Sequence, residues 1–140
     1  MSLVRILVVD EVEGWRQLAT SVLRAEPSFE VICEVSDGLK AVKLTARVQP
    51  DVVLLNIGLP GPSGIVAAGW IRKLAPDARI VFVCEDFDVA MVKATQHLGA
   101  WGYFLKSDTA QELVAAIHSV VRGEKFISSS LAGHNFLDWE

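Results

Sequence analysis

The sequence predicts a single α/β domain, a parallel sheet sandwiched between layers of helix. Three observations carry this expectation. Short Val/Ile/Leu runs alternate with helix-length amphipathic segments, the pattern of repeated strand–helix units. The first, third and fourth runs are continuously apolar, as strands covered by helices on both faces should be. A chain of 140 residues, 51% of them hydrophobic, suits one core of ordinary size.

The first strand is expected at 4–9 and ends at the acid pair Asp10-Glu11. A helix over 13–26 sets Trp15, Leu18, Ala19, Val22 and Leu23 at helical spacing and stops at Pro27. The second strand, 30–35, alternates and suits a sheet edge. Asp37 is the N-cap of a helix that carries Leu39, Val42, Lys43 and Ala46, and Gln49-Pro50 ends it. The third strand, 51–55, runs into Asn56-Ile57-Gly58-Leu59-Pro60-Gly61-Pro62-Ser63-Gly64. Ser63-Gly64 opens a helix that reaches Leu74 and is closed by Pro76. A strand at 79–84, a helix at 88–98 and a strand at 102–105 follow. Ser107, Asp108 and Thr109 offer caps for a last helix to Arg122-Gly123, with Leu113, Val114, Ile117 and Val120 inward. The domain thus spans 4–123. The tail 124–140, with Phe126, Phe136 and Trp139, reads as a linker or as a short segment docking on the body.

Composition excludes several function classes. The net charge of -4, with no stretch that concentrates Lys and Arg, argues against nucleic-acid binding by this chain alone. No apolar run approaches the roughly 20 residues needed to span a bilayer. The start, Met1-Ser2-Leu3, lacks the features of a signal peptide. Cys33 and Cys84 form no CxxC pair, so a disulfide framework is not expected. A soluble cytoplasmic protein is the expectation.

Two strands deliver polar groups at their C-terminal ends, Asp10-Glu11 and Asn56, where open parallel sheets hold their ligands. Three segments stand in order: Val8-Val9-Asp10-Glu11, Leu54-Leu55-Asn56-Ile57-Gly58-Leu59-Pro60, and Gly99-Ala100-Trp101-Gly102-Tyr103-Phe104-Leu105-Lys106. Together they resemble the bacterial response-regulator receiver domain, of the type that usually precedes a helix-turn-helix effector. The resemblance implies a flavodoxin-like (CheY-like) sandwich with a five-stranded parallel sheet of order 2-1-3-4-5 and five helices. It implies that Asp10 and Glu11 hold Mg2+, with the backbone carbonyl of Gly58 completing the metal shell. Asn56 falls on the phosphoacceptor, and Cys84 on a residue whose hydroxyl bonds the phosphoryl group. Lys106 matches the lysine that pairs with phosphoryl oxygens, and Tyr103 the aromatic switch.

Two departures bear on that chemistry. A receiver needs a carboxylate oxygen to attack phosphorus, and the Asn56 carboxamide is neutral and a poor nucleophile. Losing the charge also weakens the hold on magnesium, which prefers carboxylate oxygens. The Cys84 thiol is a weaker donor than a hydroxyl. No aspartyl phosphorylation at 56 is expected. Lys106 is expected to pair with Asp10 or Glu11 and fill the phosphoryl space.

Cys84 reads as a small buried residue rather than a redox sensor, because Glu85, Asp86 and Asp88 oppose a reactive thiolate. His97, His118 and His134 show no metal-ligand spacing and read as surface residues. Trp15 suits either the helix core or a shield over the pocket. Of Trp101 and Tyr103, one is expected inside and one exposed as an interface anchor. The leading function is a receiver-like module that signals through protein partners (a sensor kinase, an effector or a second copy) without phosphorylation. An ordinary phosphoacceptor regulator with asparagine engineered in at 56 is the alternative. A flavodoxin-like nucleotide binder fits poorly, since the acids of Asp10-Glu11-Val12-Glu13 would repel a phosphate.

Overall fold

Apolar strands and capped helices assemble as the periodicity requires. The computed structural model describes residues 3–59, 61, 63–86 and 89–131. The elements are β1 (Val4–Val9), α1 (Glu13–Arg24), β2 (Phe29–Val35), α2 (Gly38–Val48), β3 (Val52–Asn56), α3 (Gly64–Leu74), β4 (Arg79–Cys84), α4 (Val89–Gln96), β5 (Gly102–Leu105), α5 (Thr109–Val121) and β6 (Phe126–Ile127). Single 3-10 turns occupy Lys106–Asp108 and Ser129–Leu131. The expectations that concern Pro60, Pro62, Asp88, His134, Phe136 and Trp139 lie outside the described residues.

All strands are parallel, in the order β2-β1-β3-β4-β5-β6. The fold is the flavodoxin-like α/β sandwich, with one strand more than the sequence suggested. Phe126–Ile127 pairs with Gly102–Tyr103 of β5, and the Phe126 ring stacks 6.3 Å from Phe104.

Alternate strand residues feed two separate cores. Leu7, Val9, Val53, Leu55 and Phe82 pack beneath α2, α3 and α4. Ile6, Val8, Leu54, Val81 and Phe104 pack beneath α1 and α5. Side-chain caps fix two helix starts. Asp37 accepts a hydrogen bond from Lys40 N, and Ser63 accepts one from Val66 N. Gln49 takes a left-handed conformation at the end of α2, and its amide donates to Ala46 O and to Leu74 O at 3.0 Å. The C-terminal ends of α2 and α3 are thereby tied together.

Two of the helix residues named above lie outward. Leu18 is 47% exposed, because the buried stripe of α1 runs Trp15, Ala19, Leu23 and Leu18 sits about 100° off it. Leu39 is 52% exposed, since α2 turns its small residues Gly38, Ala41 and Thr45 to the sheet.

Candidate functional site

The strand register brings the expected residues to one end of the sheet. Val9 pairs with Leu55, so Asp10 follows β1 where Asn56 closes β3. Asn56 pairs with Val83 and Cys84 with Leu105, which places Cys84 and Lys106 at the next two strand ends. Burial of the strands on both faces leaves only these ends for polar chemistry.

Asp10 is fully buried. Its Oδ1 accepts a hydrogen bond from Val12 N at 2.8 Å, and its Oδ2 lies 2.8 Å from Lys106 Nζ. The lysine also lies 3.6 Å from the exposed Glu85 carboxylate. Its ammonium sits 5.2 Å from the centre of the Trp15 ring. The Trp15 indole N–H donates to Thr109 Oγ1 at 3.0 Å, and that hydroxyl donates to Lys106 O at 2.6 Å. Trp15 therefore belongs to the core and also braces the loop that carries Lys106.

Asn56 is nearly buried, and its Oδ1 accepts a long hydrogen bond from Gly58 N at 3.4 Å. Gly64 makes this placement possible. A Cβ there would lie 2.2 Å from Asn56 O and 2.8 Å from Ile57 Cα, so only glycine lets α3 start against the end of β3. Glu11, Asn56, Ile57, Gly58, Cys84, Glu85 and Met91 line a cleft of 280 Å³. Asp10 and Lys106 meet beside it through Glu85. Larger hollows lie at the opposite strand ends, by Leu3, Asp51 and Arg79, and along α1 by Gln17 and Arg24.

The cleft is acidic: Glu11, Glu85 and the neighbouring Asp86 outnumber Lys106. Burial, then Asp86, pushes the Cys84 thiol up to about 11, with Lys106 opposing. The thiol faces Phe104 O at 3.8 Å. As a magnesium site the donor set fits poorly. Asp10 has both oxygens engaged, Glu11 is exposed, and residue 56 supplies only an amide. Among the described residues no three His, Cys, Asp or Glu side chains converge on one point.

Tyr103 lies inside, 1% exposed. Its hydroxyl shares a 2.5 Å hydrogen bond with Thr95 Oγ1 and donates to Val92 O, both on α4, and its ring stacks on Phe82. Burial raises its pKa. Trp101 is not the exposed partner that the sequence suggested. It is partly buried, with the Arg79 guanidinium 4.3 Å and the Lys125 ammonium 4.8 Å from its ring centre. His97 is exposed, but His118 is half-buried, 4.7 Å from the Phe29 ring and 3.3 Å from Glu26.

Glu85 was missed as the second partner of Lys106. The signal was available, since an acid directly after the fourth strand repeats the arrangement of Asp10 after the first. The tail was read without a strand, yet its Ser128 hydroxyl accepts from Leu105 N and donates to Asp108 on either side of Lys106.

Residues 6–118 match the family described as the response regulator receiver domain. The transcriptional regulatory protein LiaR of Bacillus subtilis is 34% identical over 94% of this chain and 62% of its own length. DegU of Brevibacillus brevis is 30% identical over 96% of this chain and 56% of its own. The chain thus spans about three fifths of the length of these curated relatives. A two-component response regulator of the LuxR family from Aurantimonas superposes with a TM-score of 0.88 at 32% identity, covering 94% of each chain. The signal receiver domain of the NarL regulator from Mycobacterium tuberculosis superposes at 0.84 with 29% identity, over 89% of this chain and 100% of that one. No described helix is long and apolar enough to cross a membrane. The acids, amide and lysine gathered at the strand ends thus sit in a known frame, and the chain belongs to the response regulator receiver domain family of two-component systems.

Proposed function

We propose that this receiver signals by binding protein partners, without phosphorylation of residue 56. The observation that carries the proposal is the side chain there. Asn56 occupies the end of β3 in one cleft with Glu11, Gly58 and Cys84, and it offers a carboxamide where phosphoryl transfer needs a carboxylate. Cys84 lacks the hydroxyl that would receive a phosphoryl oxygen, and its thiol stays protonated at neutral pH. Lys106 is held by Asp10 and Glu85. Magnesium binds weakly at best.

Control then passes to whatever binds one conformation more tightly than another. To move an equilibrium from 1:99 to 99:1, a partner needs about 5.5 kcal/mol of differential affinity. The movable part is Tyr103 with α4, and the face of α4, β5 and α5 meets the partner. That partner is a sensor kinase, an effector or a second copy, in the cytoplasm. The longer relatives named as transcriptional regulators support an effector as the output.

The test is intact-mass spectrometry after incubation with acetyl phosphate and magnesium. The unmodified mass is expected. A phosphoryl adduct mapped to Asn56, or to a neighbour in the cleft, overturns the proposal.

A further inference from the structure

The chain is acidic overall, but two adjacent helices are not. Neither α2 nor α3 contains an aspartate or glutamate. Between them they carry Lys40, Lys43, Arg47 and Lys73, all exposed, and Arg72, which is exposed but donates to His97 O beyond α4. The linear sequence shows no basic stretch because these residues come from segments some 25 positions apart. Packing α2 against α3 over one core, with Gln49 tying their C-terminal ends at Leu74 O, gathers them on one outer layer. The nearest acids in sequence are committed or peripheral. Asp37 caps α2, Asp51 accepts from Arg5 N, and Asp77 lies past the end of α3.

An apolar stripe runs through this basic field. Val66, Trp70 and Leu74 stand at i, i+4 and i+8 on α3 and are 51%, 55% and 43% exposed, and Leu39 on α2 is exposed as well. Gly69, beside Trp70, has open space where a side chain would go. Lys73 Nζ sits 5.5 Å from the centre of the Trp70 ring. An exposed tryptophan among aliphatic and cationic groups has the character of an interface anchor.

We propose that the outer face of α2 and α3 docks an acidic amphipathic helix of a partner protein. Charge complementarity decides the occupant. The surface offers cations and no carboxylate along two helices, so it would repel another basic face and attract an anionic one. The apolar line from Val66 to Leu74 is about 12 Å long at 1.5 Å per residue, which matches two turns of a partner helix. Such a helix laid along it would place leucines on Trp70 and glutamates within reach of Lys43 and Lys73. The face uses none of the residues that line the strand-end cleft.

The experiment uses the intact chain and a synthetic helical peptide of about four turns, with glutamates flanking a leucine stripe. Calorimetry measures affinity, and amide chemical shifts locate the contact. Saturable binding is expected, with shifts on α2 and α3 and weakening as salt rises. The double variant Lys43→Glu/Lys73→Glu should bind about tenfold more weakly, and Trp70→Ala should also weaken binding. These positions are exposed, and circular dichroism verifies that the variants fold. Equal affinity for a glutamine-for-glutamate peptide overturns the proposal, as do shifts confined to other elements or no saturation at millimolar peptide. Co-sedimentation with anionic vesicles that competes away the peptide would make the face a membrane surface and likewise overturn it.

Discussion

Lys106 Nζ lies 2.8 Å from Asp10 Oδ2, and neither side chain has much access to water, at 10% and 0% exposure. The two partners are not equivalent. Lys106 has a second acid within 3.6 Å in Glu85, whereas among the described residues the Asp10 carboxylate pairs with Lys106 alone. Lys106→Met therefore strands a buried charge and should cost about 3–5 kcal/mol. Asp10→Asn leaves the lysine its contact with Glu85 and should cost less. Urea denaturation of both variants and of the double variant checks this, and the double variant should recover part of the loss.

On the proposed reading, Asn56→Asp should create a phosphoryl acceptor at position 56. A third carboxylate beside Asp10 and Glu11 raises magnesium affinity, which calorimetry reads directly. Without the cation, the new charge should lower thermal stability through repulsion. Adding Cys84→Ser supplies a hydroxyl, so the double variant is the one expected to gain a phosphoryl group from acetyl phosphate. Unchanged magnesium affinity in Asn56→Asp would mean that residue 56 and the acids do not share a site.

Cys84 should be a slow nucleophile. With burial and Asp86 holding its pKa up to about 11, little thiolate exists at neutral pH. In a Cys33→Ser background, iodoacetamide labelling should accelerate with pH and level off only near that value. The fold keeps this group protonated beyond its ordinary range of about 9, so the unfolded chain releases the proton first. Stability is accordingly complete at lower pH and declines as pH climbs from about 9 through about 11.

Gly64 and Gly69 share a helix but should respond in opposite ways. Alanine at 64 drives a methyl into Asn56 O and Ile57 Cα, backbone atoms that have no room to yield. A loss above about 3 kcal/mol is expected, with a displaced β3 end. Alanine at 69 meets nothing within 4 Å and should gain up to about 1 kcal/mol from helix propensity. Thermal melts of the two variants decide the matter.

Much of this was legible beforehand, and the failures share a cause. Continuous apolar runs announced β1, β3 and β4, and the short polar caps Asp37 and Ser63 announced α2 and α3. These signals are local. Strand β6 gave none, because two residues carry no periodicity and its pairing with β5 is set by a distant neighbour. The outward position of Leu18 and Leu39 was not legible, since helical spacing identifies a stripe without saying which edge of it the sheet will cover. The strand ends that hold Asp10, Asn56 and Lys106 were readable from motif order. Ser128 was not, because it matters only through contact with the turn at Lys106. The basic layer on α2 and α3 was hidden for the same reason.

Strand β6 also decides how the sheet meets its surroundings. By occupying Gly102 and Tyr103 it closes off that border, and Ser128, Ser129 and Ser130 fasten the segment to the carboxylates of Asp108 and Glu112. At the far border β2 is a seven-residue edge strand, and the register irregularity at Ile6/Leu7 disturbs its pairing with β1. Strand-to-strand growth between copies is therefore discouraged on one flank and restricted to the other.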